Sequence, residues 1–268
     1  MTQNSWTSVQ SDEYADDGEH LDGAVALARI EDELDAADAI VIDLRSGEPI
    51  VEFHSFIPDS RGLLAAPGWA KALKRVVDVA GATVALLFLS PILLVTALAV
   101  AVTSSGPVLF AQERVGANGK NFKMLKFRSM YRDAEERREQ LESLNAHKNG
   151  PVFKIHNDPR ITPVGRIIRK LSIDELPQLL NVLGGTMSLV GPRPPLPREV
   201  STYTAWHSQR LLVKPGITCI WQVSGRSGID FDTWVEMDLD YIENWSLRLD
   251  LLLMARTIPA VLTMRGAY

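Results

Sequence analysis

A single cysteine, Cys219, in 268 residues excludes an internal disulfide and any multi-cysteine metal site. The five histidines are scattered with no i, i+4 pair, which argues against a zinc hydrolase. Neither Gly-x-Ser-x-Gly nor a Gly-x-Gly-x-x-Gly after a strand occurs, so two common enzyme signatures are missing. Internal repeats are absent too. No basic stretch interleaved with aromatics and no helix-turn-helix pattern points to nucleic acid as a partner. No cationic segment followed by an apolar one opens the chain, so no secretory signal is expected. The longest absence is of charge: from Val79 to Gln112 there is no Asp, Glu, Lys or Arg.

Elsewhere charge is plentiful and unevenly divided. Residues 1–65 hold fifteen Asp/Glu against three Lys/Arg, a net of −12. The rest hold eighteen against twenty-five, a net of +7 within an overall −5. The basic part suits an anionic membrane surface or anionic substrates. The acidic extension has a disorder-prone composition over 1–38, with a small hairpin predicted at 39–53.

The uncharged run is long enough to matter. Val79–Val102 as a helix measures roughly 36 Å at ~1.5 Å per residue, sufficient for a bilayer core. Ser90-Pro91 sits mid-run, where proline kinks a helix and frees a carbonyl. Both flanks are basic, with Lys71, Lys74 and Arg75 before and Arg114, Lys120, Lys123, Lys126 and Arg128 after. The positive-inside rule places both on one side, which favours re-entrance over crossing. Asp78 is expected to pair with Lys74 and Arg75 at headgroup depth, with Trp69 in the interfacial belt.

The stretch LSIDELPQLLNVLGG, from Leu171, is the chemical focus. Leu176, Leu179, Leu180 and Leu183 recur at helical spacing, and Gly184-Gly185 ends the helix. Asp174 and Glu175 fall at its start, where the helix dipole favours negative charge. Ser172-x-x-Glu175 matches a capping box, the ordinary reading of those acids. That reading puts Pro177 where a backbone N–H is needed, whereas a start nearer Asp174 does not. Further on, Gly191-Pro192-Arg193-Pro194 is a stiff turn presenting one arginine, and Ser224-Gly225-Arg226-Ser227-Gly228 presents another between glycines. Arg169 stands five residues before Asp174, placed to orient it, lower its pKa or bind phosphate. Lys126 and Arg128 end a predicted strand, facing phosphates or solvent.

Strands are predicted at 108–112 and 122–127 around Gly116–Lys120, and a short one at 219–223. Helices are predicted at 132–148, 166–170, 199–213, 232–244 and 247–263, the last amphipathic to strongly apolar and suited to a membrane surface. A turn is expected at Asp158-Pro159-Arg160.

The motifs KRVVD, Ser90-Pro91, KFRSM, LSIDELPQLLNVL, MSLVGPRP, KPGIT and WQVSGR, with Asp238, Tyr241 and Asn244-Trp245-Ser246-Leu247, occur in one order. Together they resemble the bacterial sugar transferases, monotopic polyprenyl-phosphate phosphoglycosyl transferases, over about residues 74–263. Thr186 and Cys219 stand where the family more often has Asp and Gly. The resemblance implies an α+β fold: a re-entrant helix broken at Ser90-Pro91, then a small, mainly helical cytosolic catalytic domain with a short hairpin and interfacial amphipathic helices. The implied division is an acidic extension at 1–65, an interfacial and re-entrant segment at 66–106, and a catalytic domain at 107–268.

It also implies transfer of a sugar-1-phosphate from a UDP-sugar to polyprenyl phosphate, with UMP released and Mg²⁺ required, at the cytoplasmic face of the bacterial inner membrane. In that scheme Asp174 is the nucleophile and Glu175 holds Mg²⁺. Lys126, Arg169, Arg193 and Arg226 grip phosphate. The pathway would be exopolysaccharide or another surface glycan, with homo-oligomerisation left open. The competing expectations are a membrane-associated scaffold or lipid-binding module, in which the acids only cap a helix, and a soluble nucleotide-sugar transferase with the apolar run as core.

Overall fold

The computed structural model describes residues 62–134, 136–137, 155, 158–224 and 230–262. The predicted hairpin at 39–53 lies outside them, as does the predicted helix at 132–148 beyond its first residues, which form turns.

After α1 (Gly62–Ala65) comes α2, Gly68–Thr103, one helix of 36 residues. It begins three turns before the uncharged run, so Lys74, Arg75 and Asp78 are helical. The helical assignment passes through Pro91. Proline has no N–H, so it cannot serve the carbonyl four residues back, that of Leu87. The Ser90 hydroxyl donates to that same oxygen at 2.8 Å. Ser90-Pro91 therefore satisfies its own freed carbonyl, as an apolar environment demands. Around it, residues 87–92 are exposed apart from half-exposed Leu89. Val84, Leu87, Phe88, Val95, Leu98 and Val102 form an outward apolar face. By length and composition the helix can cross a membrane.

Both ends of α2 are bonded to the unit that follows. At the start, the Lys74 ammonium donates to Asp250 Oδ2 at 2.7 Å and to the Val190 carbonyl at 3.1 Å. Arg75 donates to the carbonyls of Val182 (2.5 Å) and Leu183 (2.8 Å). Asp78 accepts from the Ser188 hydroxyl and the Leu189 N–H, each at 2.9 Å. The expected pairing of Asp78 with Lys74 and Arg75 is thus replaced. Each of the three meets a partner across the interface that would otherwise be an unsatisfied buried group. At the far end Arg128, buried, donates to the carbonyls of Ser104 (2.7 Å) and Pro107, closing the C-terminus of α2. Of the two roles open to Arg128, this is neither phosphate contact nor exposure to solvent.

β1 (Leu109–Val115) and β2 (Asn121–Phe127) form the predicted antiparallel hairpin, longer at its first strand than expected. The turn carries Asn118 at φ 55°, which asparagine tolerates well. Then follow α3 (Pro163–Lys170), a 3₁₀ turn at Ile173–Glu175, α4 (Gln178–Leu183) and β3 (Ser188–Val190). The predicted helix at 199–213 divides into α5 (Pro197–Val200), α6 (Ala205–Ser208) and a 3₁₀ turn at Gln209–Leu212. The division comes from Thr204, whose hydroxyl accepts from the His207 N–H and starts a new helix.

β4 (Gly216–Thr218) pairs in parallel with β3. The predicted strand at 219–223 is instead α7 (Ile220–Ser224), which stacks Trp221 on Trp234 with centroids 4.3 Å apart. That burial outweighs β-propensity. α8 (Phe231–Glu243) is capped by Asp230, and α9 (Leu247–Leu262) buries Asp250 and Leu253 while exposing Leu251, Leu252 and Ile258.

The described residues therefore form an α+β arrangement with small sheets and one long apolar helix. One cluster, of Ala82, Met124, Leu179, Val182 and Met187, joins α2, β2 and α4. Another, of Val100, Phe127 and Ile168, joins the far end of α2 to β2 and α3. Asn181 ties α4 to β2: its carbonyl oxygen accepts from the Leu125 N–H (2.9 Å) and its amide donates to the Lys123 carbonyl (2.8 Å). Asn181→Leu leaves both β2 groups unpaired, and thermal unfolding of the detergent-solubilised protein should show a loss of about 2–4 kcal/mol.

Candidate active site

The acid pair precedes α4 rather than sitting on it. Ser172 adopts φ 55°, the left-handed region, and its hydroxyl caps nothing. The chain then makes the 3₁₀ turn at Ile173–Glu175, and Pro177 ends the approach as the residue before α4, where its missing N–H costs little. The capping box is thereby excluded, and so is a direct place for the acids in the first turn of α4. The expected apolar stripe also shifts: Leu179 and Val182 are buried with Gln178 and Asn181, while Leu180 is exposed.

Asp174 is 6% exposed, and the Glu175 side chain 34%. Two adjacent carboxylates repel, and burial penalises their charge. The Lys126 ammonium, at 2.7 Å from Glu175 Oε1, answers both effects. Burial pushes the Asp174 carboxyl up to about 6, with Glu175 adding to the rise and Lys126 and Arg169 opposing it. At Glu175 burial acts in the same sense but is outweighed by the Lys126 charge and hydrogen bond and by Arg193 and Arg169, so that carboxyl stays below its usual range.

Of the residues singled out by sequence, the structure gathers Asp174, Glu175, Lys126, Arg169 and Arg193 into one electrostatic cluster. Arg169 comes from the last turn of α3 and Arg193 from the turn after β3. Arg226 lies outside the described residues, and Ser90 and Pro91 belong to α2.

Arg114 was visible in sequence only as one flanking base among several. It is 5% exposed, and its pKa is pushed down to about 10 by burial and by the neighbouring Arg193 charge. It donates to the Pro194 carbonyl at 2.8 Å and to Gln112 Oε1 at 2.8 and 3.2 Å. The only sequence signal for it was the Gln112-x-Arg114 alternation, which puts both on one face of β1.

No cluster of three or more metal-ligating side chains occurs among the described residues. Two adjacent carboxylates fit a hard cation that takes its other ligands from water and substrate phosphates, as Mg²⁺ does. The site thus joins a buried carboxylate to cations from three elements, beside a helix able to enter lipid. This arrangement suits phosphoryl transfer.

Known proteins agree with that class. The family model described as bacterial sugar transferase matches residues 69–264. The chain belongs to that family. It is 43% identical over 216 residues to the exopolysaccharide production protein ExoY of Rhizobium meliloti, covering 80% of this chain and 95% of ExoY. It is 43% identical over 207 residues to the undecaprenyl-phosphate galactose phosphotransferase of Salmonella typhimurium, covering 74% of this chain and 42% of that longer protein. It is 42% identical over 205 residues to the UDP-glucose:undecaprenyl-phosphate glucose-1-phosphate transferase of Caulobacter vibrioides, with 73% and 72% covered.

Lys126→Met removes the cation that holds both carboxylates down. Carboxyl titration by difference infrared spectroscopy should find the pair moved up by about one to two pH units.

Proposed function

We propose that this protein transfers a sugar-1-phosphate from a UDP-sugar to an undecaprenyl-type polyprenyl phosphate, as a first step in making exopolysaccharide or another surface glycan. The observation that carries the reading is the Asp174–Glu175 pair, ringed by Lys126, Arg169 and Arg193 and built next to α2. The name of the Caulobacter relative supports the donor and acceptor classes, that of the Salmonella relative the acceptor, and that of ExoY the pathway.

An Asp174 carboxylate oxygen attacks the phosphorus that bears the sugar. An O–P bond forms, the P–O bond to the leaving nucleotide breaks, and UMP departs with that electron pair. An oxygen of polyprenyl phosphate then attacks the same phosphorus. The Asp174–phosphate bond breaks, giving polyprenyl-diphosphate-sugar and a restored carboxylate. Arg193 and Arg169 offset charge on the phosphoryl oxygens, and Lys126 keeps Glu175 ionised. Glu175 would hold Mg²⁺, which would supply neutralising charge for the phosphates. Arg226, by its family motif, belongs to the same phosphate-binding set.

The second half of the proposal is topological. α2 enters the cytoplasmic leaflet of the inner membrane, bends at Ser90-Pro91 and returns. Two observations support this: both ends of α2 bond to the same α+β unit, and Leu87, Phe88, Ser90, Pro91 and Ile92 between them are exposed. The acceptor keeps its tail in lipid and its phosphate at the interface, while the sugar nucleotide arrives from water. An acid pair held at that boundary meets both.

The test is incubation of the membrane-embedded protein with Mg²⁺, polyprenyl phosphate and a panel of UDP-sugars. UMP release is expected with one or a few donors, lost at least 10³-fold in Asp174→Asn, with label from the donor trapped on Asp174. UDP release instead would mean ordinary glycosyl transfer and a wrong assignment. The nucleophile must be ionised, and its pKa is raised, so activity should fall as pH drops through about 6.

A further inference from the structure

The segment from Gly191 to Pro195 has three prolines in five residues, so it can donate backbone hydrogen bonds only at Gly191 and Arg193. It is also largely buried, and buried carbonyls need partners. The structure supplies them from outside, one after another. Val190 O accepts from Lys74 Nζ (3.1 Å) and from the Tyr241 hydroxyl (3.0 Å). Pro192 O accepts from the Gly216 N–H at 2.9 Å, and Pro195 O from the Val115 N–H at 3.0 Å. The two carbonyls between them are held by guanidinium groups. Arg193 O accepts from Arg210 Nη2 at 3.4 Å, and Pro194 O from Arg114 Nη1 at 2.8 Å.

Both of these arginines are deeply buried. Arg210 is neutralised by Asp238 and donates from Nη1 to the Tyr203 hydroxyl at 3.2 Å. Arg114 is steadied by Gln112. Neither spends its charge on a surface ion pair. Each instead holds a backbone carbonyl at or directly after Arg193, the residue of the turn whose charge acts on Glu175. A lysine would carry the same charge but lacks the planar fork from whose separate nitrogens Arg114 serves Pro194 O and Gln112, and Arg210 serves Arg193 O and Tyr203.

We propose that Arg114 and Arg210, the latter set by Asp238, are positioning residues that fix the backbone under Arg193 and so aim its guanidinium at the phosphates of the nucleotide. This rests on the phosphoryl-transfer reading of the site. It predicts that their effects pass through Arg193 and vanish when that guanidinium is absent.

The experiment is a set of double-mutant cycles on the full chain in lipid nanodiscs, read by UDP binding and by UMP release. Arg193→Ala should weaken UDP binding about tenfold or more, the loss of one charged contact. Arg210→Lys and Arg114→Lys should each weaken it about three- to tenfold, with thermal stability close to wild type for at least one of them. In the Arg193→Ala background the same two substitutions should change UDP affinity less than twofold. Effects that multiply in the double variants would overturn the proposal, because a general loosening of the fold does not depend on Arg193. UDP binding unaffected by either lysine substitution would overturn it too, as would a wild-type chain that binds no UDP. UDP binding with coupled variants but no UMP release in wild type would overturn the phosphotransfer reading while leaving the positioning relation intact.

Discussion

Two neighbouring carboxylates in a site that is mostly closed to water are unstable unless positive charge is brought to them, and the architecture around residues 174 and 175 is arranged to bring it. Lys126 arrives at the end of β2, Arg169 at the end of α3 and Arg193 on the turn after β3. None of these is near the acids in local sequence except Arg169. Their convergence is a tertiary product: the two clusters that pack α2 against β2, α4 and α3 hold together the elements that deliver Lys126 and Arg169. The result is uneven: Lys126 bonds Glu175 directly, so that carboxyl is firmly ionised, while Asp174 stays closer to neutrality. Neighbouring acids with separated pKa values are suited to different tasks.

The attachment of the long helix follows from the same economy of buried polar groups. Lys74, Arg75 and Asp78 would be expensive in lipid. Each is turned toward the α+β unit and used there: on Asp250, on the last carbonyls of α4, and on β3. Arg75 thereby links the membrane-seeking helix to α4, whose approach carries the acid pair. Placement of the site relative to the long apolar helix is thus built into the hydrogen bonding of the helix start.

Much of this was legible in the sequence, for identifiable reasons. The hairpin followed from alternating residues around a Gly/Asn turn, and α8 and α9 from their long periodic patterns. The ends of the apolar run were placed less well, because charged residues inside a tertiary interface look like solvated flanks. At 219–223 β-branched residues suggested a strand, but the partner surface for Trp221 lies in α8 and favours a helix. The three residues of β3 are too few to give a pattern. In the site, the acids and their cations could be named from turn chemistry and motif order. Arg114 could not, since nothing local distinguishes a base that will hold a distant carbonyl from one that will face water.

The parallel pairing of β3 with β4 has a consequence for how the site is assembled. These strands are only three residues each, and they tie residues 188–190 to 216–218 across a long intervening excursion. At the knot, Gly191 and Gly216 lie so close that a Cβ on Gly216 would sit 2.1 Å from the Gly191 nitrogen. The excursion is therefore cinched at its neck by two residues that have no side chains. Both Arg193 and the arginine that holds its backbone from Gln209–Leu212, Arg210, ride on that single loop. One closed neck therefore sets the position of both, and a side chain at either glycine would disturb the two arginines at once.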